Sequence, residues 1–369
     1  MFNNQKHHII VGISGGVDSS VAALLLKDQG YKVEGLFMKN WEEDDTKTYC
    51  SATQDRQDAE QVCDKLDIQL HTVNLSAEYW KFVFCNFLEE YKVGRTPNPD
   101  ILCNREIKFK AFLDYAQHLG ADLIATGHYA NITRKGTNYS LLKGKDLNKD
   151  QSYFLYTLNQ NQLKHAIFPI ADYLKKQIRK IAQKAGFFNH QKKDSTGICF
   201  IGEKKFKQFL QRYIPVKHGD IVTLTGKKLG IHDGIMFYTI GQRQGIGIGG
   251  QSNSTNDPWY VLEKKLNSNE LVVVQGKNNP ALFKQRLITS KLHWIAGNQP
   301  SNFFSCKAKI RYRQVEQHCH VELKSIDKCQ VTFQIPQRAI TPGQSIVFYN
   351  DAICLGGGII EKDLKTLYE

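Results

Sequence analysis

The feature that most limits what this chain can become is a junction near its start. His8 to Ile13 form an uninterrupted apolar run, the pattern of a strand buried on both faces. A glycine-serine turn follows, and then "SSVAALLLKDQG" reads as a helix that Gly30 stops. The same alternation continues. "YKVEGLFM" is a second strand, Ala52 to Leu66 a helix, "IQLHTVNL" a strand and Ala77 to Val93 a helix. A loop at Thr96 leads into a helix that reaches about Leu119, and "ADLIATGH" is the next strand. Strands alternating with helices predict an α/β fold with a parallel, doubly wound sheet. Ligands of such sheets bind beyond the carboxyl ends of the strands.

Further along, the lysine-rich "RKGTNYSLLKGKDLNKDQ" reads as a surface hairpin or loop, and helices resume through about Lys184. From Gly219 the texture changes to short β-rich runs separated by Gly and Asn turns. After Leu287 the pattern is strand through to Ile360, consistent with a small barrel or sandwich. The chain of 369 residues suits two or three cores. Boundaries near 205 and 270 predict a first domain over 1–205, a β-rich central domain over 206–270 and a C-terminal β domain over 271–369.

Composition narrows the partner. A formal net charge of +13 favours a polyanion, with nucleic acid the commonest. No apolar run is long enough to span a membrane, and the strand pattern begins too early to leave room for a leader, so the expected location is the cytoplasm. Nine cysteines with no CxxC pair point to neither a disulfide framework nor a zinc ribbon. His318 and His320 share one face of a strand pattern, but no third ligand is visible and no metal site is expected.

Two places carry chemistry. The first is Gly12, Ile13, Ser14, Gly15, Gly16, Val17, Asp18 and Ser19. Glycines let backbone N–H groups converge, and the following helix start adds partial positive charge, which together make an anion cradle. The loop is neither a Walker A motif nor GxGxxG. Asp18 adds a carboxylate suited to Mg²⁺ held against phosphate oxygens. The second is "TPNPDILCNREIKF". Asp100 is placed as the N-cap of a helix whose first turn holds Ile101, Leu102 and Cys103. A helix start stabilises thiolate, and Arg105 and Lys108 add positive charge. The residues alone also allow a buried packing thiol. Cys199, in "DSTGICFIGE", follows the basic "QKKDSTG" and has apolar neighbours, so either burial or delivery into a cleft fits.

The glycine loop resembles SGGxDS, the pyrophosphatase loop of adenylating enzymes that split ATP into AMP and pyrophosphate. Taken with "TPNPDILCNREIKF", "ATGHYA", "KDQSYFL", "DSTGICFIGE", "TIGQRQGIGIGG", "RAITPGQSIVFY" and "LGGGII", the chain resembles the tRNA-specific 2-thiouridylase family along nearly its whole length. The resemblance implies an adenine-nucleotide α-hydrolase-like first domain and a C-terminal β-barrel. It implies ATP and Mg²⁺ as cofactors, with Gly12 to Ser19, Met38 and Gly127 on the nucleotide. Asn98, Pro99 and Asp100 would surround the target base. His128, Lys149, Asp150, Gln151, Arg311, Tyr312 and Gln344 would contact tRNA.

Cys103 and Cys199 are the catalytic pair by the same resemblance. AMP activates the C2 oxygen of the wobble uridine, a persulfide on Cys199 supplies sulfur, and Cys103 releases the product and leaves a disulfide. Asp100 would act as acid or base at N3. The implied partners are tRNAs for lysine, glutamate and glutamine and a sulfur donor, either a cysteine desulfurase or a relay protein, with the enzyme a monomer. Asn131, His218 and Gln244 depart from the family pattern without removing a catalytic group. The competing readings are another pyrophosphatase-loop enzyme, lysidine-synthetase-like or amidating, and a non-enzymatic RNA-binding module. The missing glutaminase signature weighs against the amidating reading, and the intact Gly15, Gly16, Asp18 and Ser19 against the second.

Overall fold

A computed structural model describes residues 7–42, 53–193, 206–248 and 257–362. Strand β1 (His8–Gly12) runs parallel to β2 (Lys32–Lys39) on one side and to β4 (Leu123–Ala125) on the other. Strands β3 (Leu70–Asn74) and β7 (Ala166–Ile167) complete a sheet of order β3-β2-β1-β4-β7, parallel throughout. Ile9, Ile10 and Val11 are fully buried because both faces of β1 are covered, which explains the unbroken apolar run. Ile10, Leu36 and Ile124 pack with Phe109, Phe112 and Leu113. Ile9 and Val11 pack with Val21, Ala22 and Val62 from helices α1 (Val17–Asp28) and α2 (Thr53–Leu66). The chain winds outward from β1 to β3, then returns to the other side of β1 with β4. The crevice between the ends of β1 and β4 is therefore the topological switch point.

The lysine-rich segment is a hairpin, β5 (Ala130–Lys135) and β6 (Asn138–Lys143). It does not lie free on the surface. β6 pairs with β17 (Ile353–Ile360), and Leu141 is buried beside Val347, Tyr349 and Cys354. The first domain thus contributes two strands to the C-terminal sheet.

The central unit is a four-stranded sheet of β8 (Gly219–Val222), β9 (Lys228–His232), β10 (Trp259–Lys265) and β11 (Glu270–Gln275). Its leading helix, Phe206–Leu210, inserts Phe206 and Phe209 among Trp41, Tyr79, Phe84, Phe87 and Tyr91 of the first unit. β11 carries this sheet to Gln275, a few residues past the expected boundary at 270.

The C-terminal unit holds β12 (Phe283–Trp294), β13 (Phe303–Lys309), β14 (Gln317–Ser325), β15 (Lys328–Arg338), β16 (Ser345–Asn350) and β17. Pairing of β12 with both β15 and β17 closes these six strands into an antiparallel barrel. Leu287, Ile310, Val321, Val331, Phe333 and Phe348 are in its core. Closure decides between the barrel and the sandwich, and it removes the edges that an open sheet would expose. Cys319 points inward, while His318 and His320 face outward; His320 stacks on Phe303 and bonds Ser305 at 2.9 Å. Among the described residues no helix is long and apolar enough to cross a membrane.

Candidate active site

The glycine loop between β1 and α1 is braced by its own serines. Ser19 Oγ accepts from Ser14 N–H at 3.3 Å and donates to the Gly16 carbonyl at 3.0 Å; Ser20 Oγ donates to the same carbonyl at 2.9 Å. Gly15 has φ +73°, and a methyl there would come within 2.6 Å of the Asp55 carbonyl oxygen. Gly16 is the N-cap of α1 and no side chain caps the helix, which leaves its first amides as candidate donors for an anion.

Two other strand ends close on this loop. A methyl on Gly127 would lie 2.7 Å from Ser19 N and 2.8 Å from Asp18 C, so the segment after β4 passes directly against the first turn of α1. Met38 Cε lies 3.5 Å from the position of a methyl on Gly12. Gly12, Met38 and Gly127, far apart in sequence, thus meet at the switch point.

Asp18 is held from two directions. Lys175 Nζ donates to its two oxygens at 2.8 and 2.7 Å, and Tyr129 Oη donates at 2.7 Å. Gln151 fixes Tyr129 from behind, accepting its N–H at 2.9 Å and donating a backbone N–H to its carbonyl at 2.8 Å. Sequence reading missed Lys175, which sits in the charged run "KKQIRK" with nothing to single it out. It also missed Asn189, whose Nδ2 donates to the Gly15 carbonyl and to Ser20 Oγ, both at 3.0 Å. Lys192 pairs with Asp58 at 2.6 Å beneath the same loop. One carboxylate beside open backbone amides suits Mg²⁺ arriving with phosphates, because that ion takes few protein ligands.

The Thr96 loop is clamped where the three units meet. Thr96 donates its N–H to the Pro342 carbonyl at 3.0 Å, and its own carbonyl accepts from Gln344 Nε2 at 2.7 Å. Its hydroxyl lies 3.4 Å from that of Thr239 in the central unit. Arg95 forks onto Glu361 at 2.6 and 3.3 Å. The helix that follows departs from expectation. Its N-cap is Asn98, whose side chain accepts the Asp100 N–H at 3.2 Å, and Pro99 fills the first helical position. Proline's fixed φ and missing donor suit that position, so the cap falls one residue before it. Asp100 is inside the helix, half-buried; burial pushes its carboxyl above the usual range and the Lys108 charge opposes the shift.

The helix changes to π-helical turns over Cys103–Ala111 before resuming as Phe112–His118. Such turns are frequent at functional sites. Cys103 opens that stretch and is only 2% exposed, in an apolar cluster with Trp41, Tyr79, Phe84 and Ile107. Cys199 lies outside the described residues.

Of the positions assigned to tRNA, several are occupied internally. Asp150 is buried; its carboxylate accepts from Gly144 N–H, Ser152 N–H and Ser152 Oγ at 3.2, 3.1 and 3.0 Å, with Lys309 Nζ at 3.4 Å. His128 is 7% exposed, near the Phe109 and Phe168 rings, with Nδ1 2.7 Å from Thr126 Oγ1. Burial, reinforced by the Lys108 charge, holds it well below the usual histidine range. Tyr312 packs on Phe154 and donates to the Lys149 carbonyl at 3.3 Å. Arg311 donates to the carbonyl of Ala339, and Gln344 is spent on Thr96.

Residues 7–203 match the family described as tRNA methyl transferase HUP domain, 207–275 that described as tRNA methyl transferase PRC-barrel domain, and 284–360 that described as aminomethyltransferase beta-barrel domain. The chain is 59% identical to the tRNA-specific 2-thiouridylase MnmA of Methylococcus capsulatus (strain ATCC 33009 / NCIMB 11132 / Bath), covering 96% of each chain. It is 58% identical to the protein of that name from Hahella chejuensis (strain KCTC 2396), covering 99% of this chain and 100% of the relative. It is 59% identical to the one from Francisella tularensis subsp. holarctica (strain FTNF002-00 / FTA), covering 96% and 99%. With its glycine-loop crevice, its clamped Arg95–Thr96 loop and full-length similarity at this level, the chain belongs to the tRNA-specific 2-thiouridylase family.

Proposed function

We propose that this enzyme converts the wobble uridine of tRNA to 2-thiouridine, with ATP as the activating substrate. The observation that carries the reading is the convergence of Gly12–Ser19, Met38 and Gly127 at the switch point.

ATP phosphates take the open amides of α1, and Lys175 exchanges its hold on Asp18 for a phosphate oxygen. Asp18 is the residue that would hold Mg²⁺, which would supply charge screening at the phosphates. The C2 oxygen of uracil attacks the α-phosphorus and pyrophosphate leaves. Asn98, Pro99 and Asp100 hold the base, splayed from its single-stranded loop. Asp100, with its raised pKa, holds or moves a proton at N3.

The terminal sulfur of a Cys199 persulfide attacks C2, and AMP departs with the oxygen. The Cys103 thiolate then attacks the inner Cys199 sulfur. That releases 2-thiouridine and leaves a Cys103–Cys199 disulfide, which an external thiol reduces before the next turnover. Because Cys103 is buried among aromatic residues, the last transfer requires that cluster to open. Lys149 is proposed to face the RNA, and Arg311 and Tyr312, half-buried and bonded internally, would contact it by exchanging those protein bonds for RNA ones.

The test is release of pyrophosphate with and without tRNA. The thiouridylase reading expects release that depends on a tRNA bearing wobble uridine. An amidating enzyme would release it with a small substrate, and a binding module would release none.

A further inference from the structure

A continuous line of bonds runs from the C-terminal barrel to the carboxylate of Asp18. At its near end, Tyr129 Oη donates to Asp18 Oδ1 at 2.7 Å. Lys175 Nζ reaches both oxygens, so Oδ2 has Lys175 as its sole partner among the described residues. When Lys175 turns to a phosphate, Oδ2 is freed and Tyr129 alone keeps Oδ1 in place. The oriented carboxylate then depends on where Tyr129 stands.

Tyr129 is 2% exposed, and its backbone is bonded twice to Gln151, at 2.9 and 2.8 Å. Asp150 organises the turn that carries Gln151. Its Oδ1 accepts the N–H of Gly144 at 3.2 Å and that of Ser152 at 3.1 Å, joining both flanks of the turn. A methyl on Gly144 would come within 2.7 Å of the Tyr129 carbonyl oxygen, so the turn packs directly on the Tyr129 backbone.

The far end lies in the barrel. Lys309, on β13, places Nζ 3.4 Å from Asp150 Oδ2 and 5.3 Å from the centre of the Tyr349 ring. Tyr349 Oη lies 3.2 Å from Ser152 Oγ, which donates to Asp150 Oδ2 at 3.0 Å. The Asp150 side chain is wholly buried and that of Lys309 is 10% exposed. Lys309 is the only ion-pair partner of Asp150 among the described residues. Removing one member of a buried pair leaves an uncompensated charge, so this contact holds the turn firmly.

We propose that Tyr129 and Lys309 are positioning residues for the nucleotide site. Lys309 fixes the turn of Asp150 and Gln151, the turn fixes Tyr129, and Tyr129 holds the Asp18 carboxylate in its pose. The barrel thereby helps to build a site that lies in another unit. The proposal rests on the ATP reading of the crevice and deepens it. A carboxylate ordered in advance spares the ligand the cost of ordering it.

KM values for ATP and for tRNA are measured by pyrophosphate release for wild type, Tyr129→Phe, Lys309→Met and Lys309→Arg. Equilibrium binding of a tRNA transcript over a series of KCl concentrations and thermal melting accompany them. Tyr129→Phe should raise the KM for ATP about tenfold, the usual loss when the group orienting a ligand side chain is removed. Lys309→Met should raise it about threefold or more, and Lys309→Arg, which keeps the charge, should stay within about twofold of wild type. The KM for tRNA, the tRNA affinity and the salt slope should not move. Early melting with an unchanged KM for ATP would make these residues packing groups only, and a wild-type KM for ATP in Tyr129→Phe would equally overturn the proposal. A Lys309→Met enzyme whose salt slope falls by about one would make Lys309 an RNA contact and overturn the part given to the barrel. If Lys309→Met does not fold, Ser152→Ala removes a donor to Asp150 while leaving it paired. That variant should show the same threefold rise, and a wild-type KM in it would overturn the proposal. Failure of the wild type to release pyrophosphate from ATP would instead remove the ATP reading itself.

Discussion

Replacing Gly127 by alanine tests whether the crevice between β1 and β4 is the nucleotide site. The added methyl would lie 2.7 Å from Ser19 N, 2.8 Å from Asp18 C and 3.0 Å from Asp18 Cβ. Two of these are backbone atoms of the first turn of α1, which cannot swing aside as a side-chain tip can. Overpacking of this kind costs about 1–3 kcal/mol. The strain is relieved by moving the very amides that should hold the phosphates. Since about 1.4 kcal/mol is a factor of ten, the KM for ATP should rise about tenfold or more.

Gly120→Ala is the matched control. Gly120 has φ +83° and open space around it, so its variant carries backbone strain with no clash. Both variants should lose a few degrees of melting temperature. Only Gly127→Ala should weaken ATP, read from tRNA-dependent pyrophosphate release, and tRNA affinity should hold for both. A Gly127→Ala enzyme with wild-type KM for ATP would refute the assignment of the crevice.

Cys103→Ala and Cys199→Ala should each abolish thiolation while tRNA binding stays within about twofold; normal multiple turnover by Cys103→Ala would sink the two-cysteine scheme. Asp18→Ala and Lys175→Met should each depress ATP use by about tenfold or more without changing tRNA affinity, as their mutual contact at 2.7 Å requires of both partners. Unchanged ATP kinetics in either would remove that residue from the site. Asp100 gives a pH test. Its folded-state pKa is raised, so ionising it costs stability as pH climbs from the unfolded value of 3.8 through the folded one. Asp100→Asn should therefore melt higher than wild type at neutral pH, with the gain vanishing near pH 3; a gain that persists at acid pH would contradict the burial argument.

Local chemistry was legible wherever neighbours in sequence decide it. The apolar run of β1 announced a strand covered on both faces, and the glycines of 12–16 announced a tight turn before a helix. The cap was misread because Asp100 is an excellent capping residue in isolation, whereas Pro99 reserves the first helical position and hands the cap to Asn98. Lys175 could not be found, since its contact with Asp18 spans 157 residues and exists only once the sheet is wound. The same holds for Arg95 and Glu361, 266 residues apart, and for β6, whose alternation gives no sign that its partner is β17. Barrel closure depends on the pairing of β12 with β17, which no single strand's pattern encodes.

The central claim is sulfur transfer to C2 of the wobble uridine. The most direct measurement is mass spectrometry of nucleosides and oligonucleotide fragments from tRNA incubated with the enzyme, ATP, Mg²⁺ and a persulfide source. The account predicts one oxygen-to-sulfur exchange, confined to the wobble uridine and dependent on ATP. Unmodified tRNA, or sulfur at any other nucleotide, would contradict it.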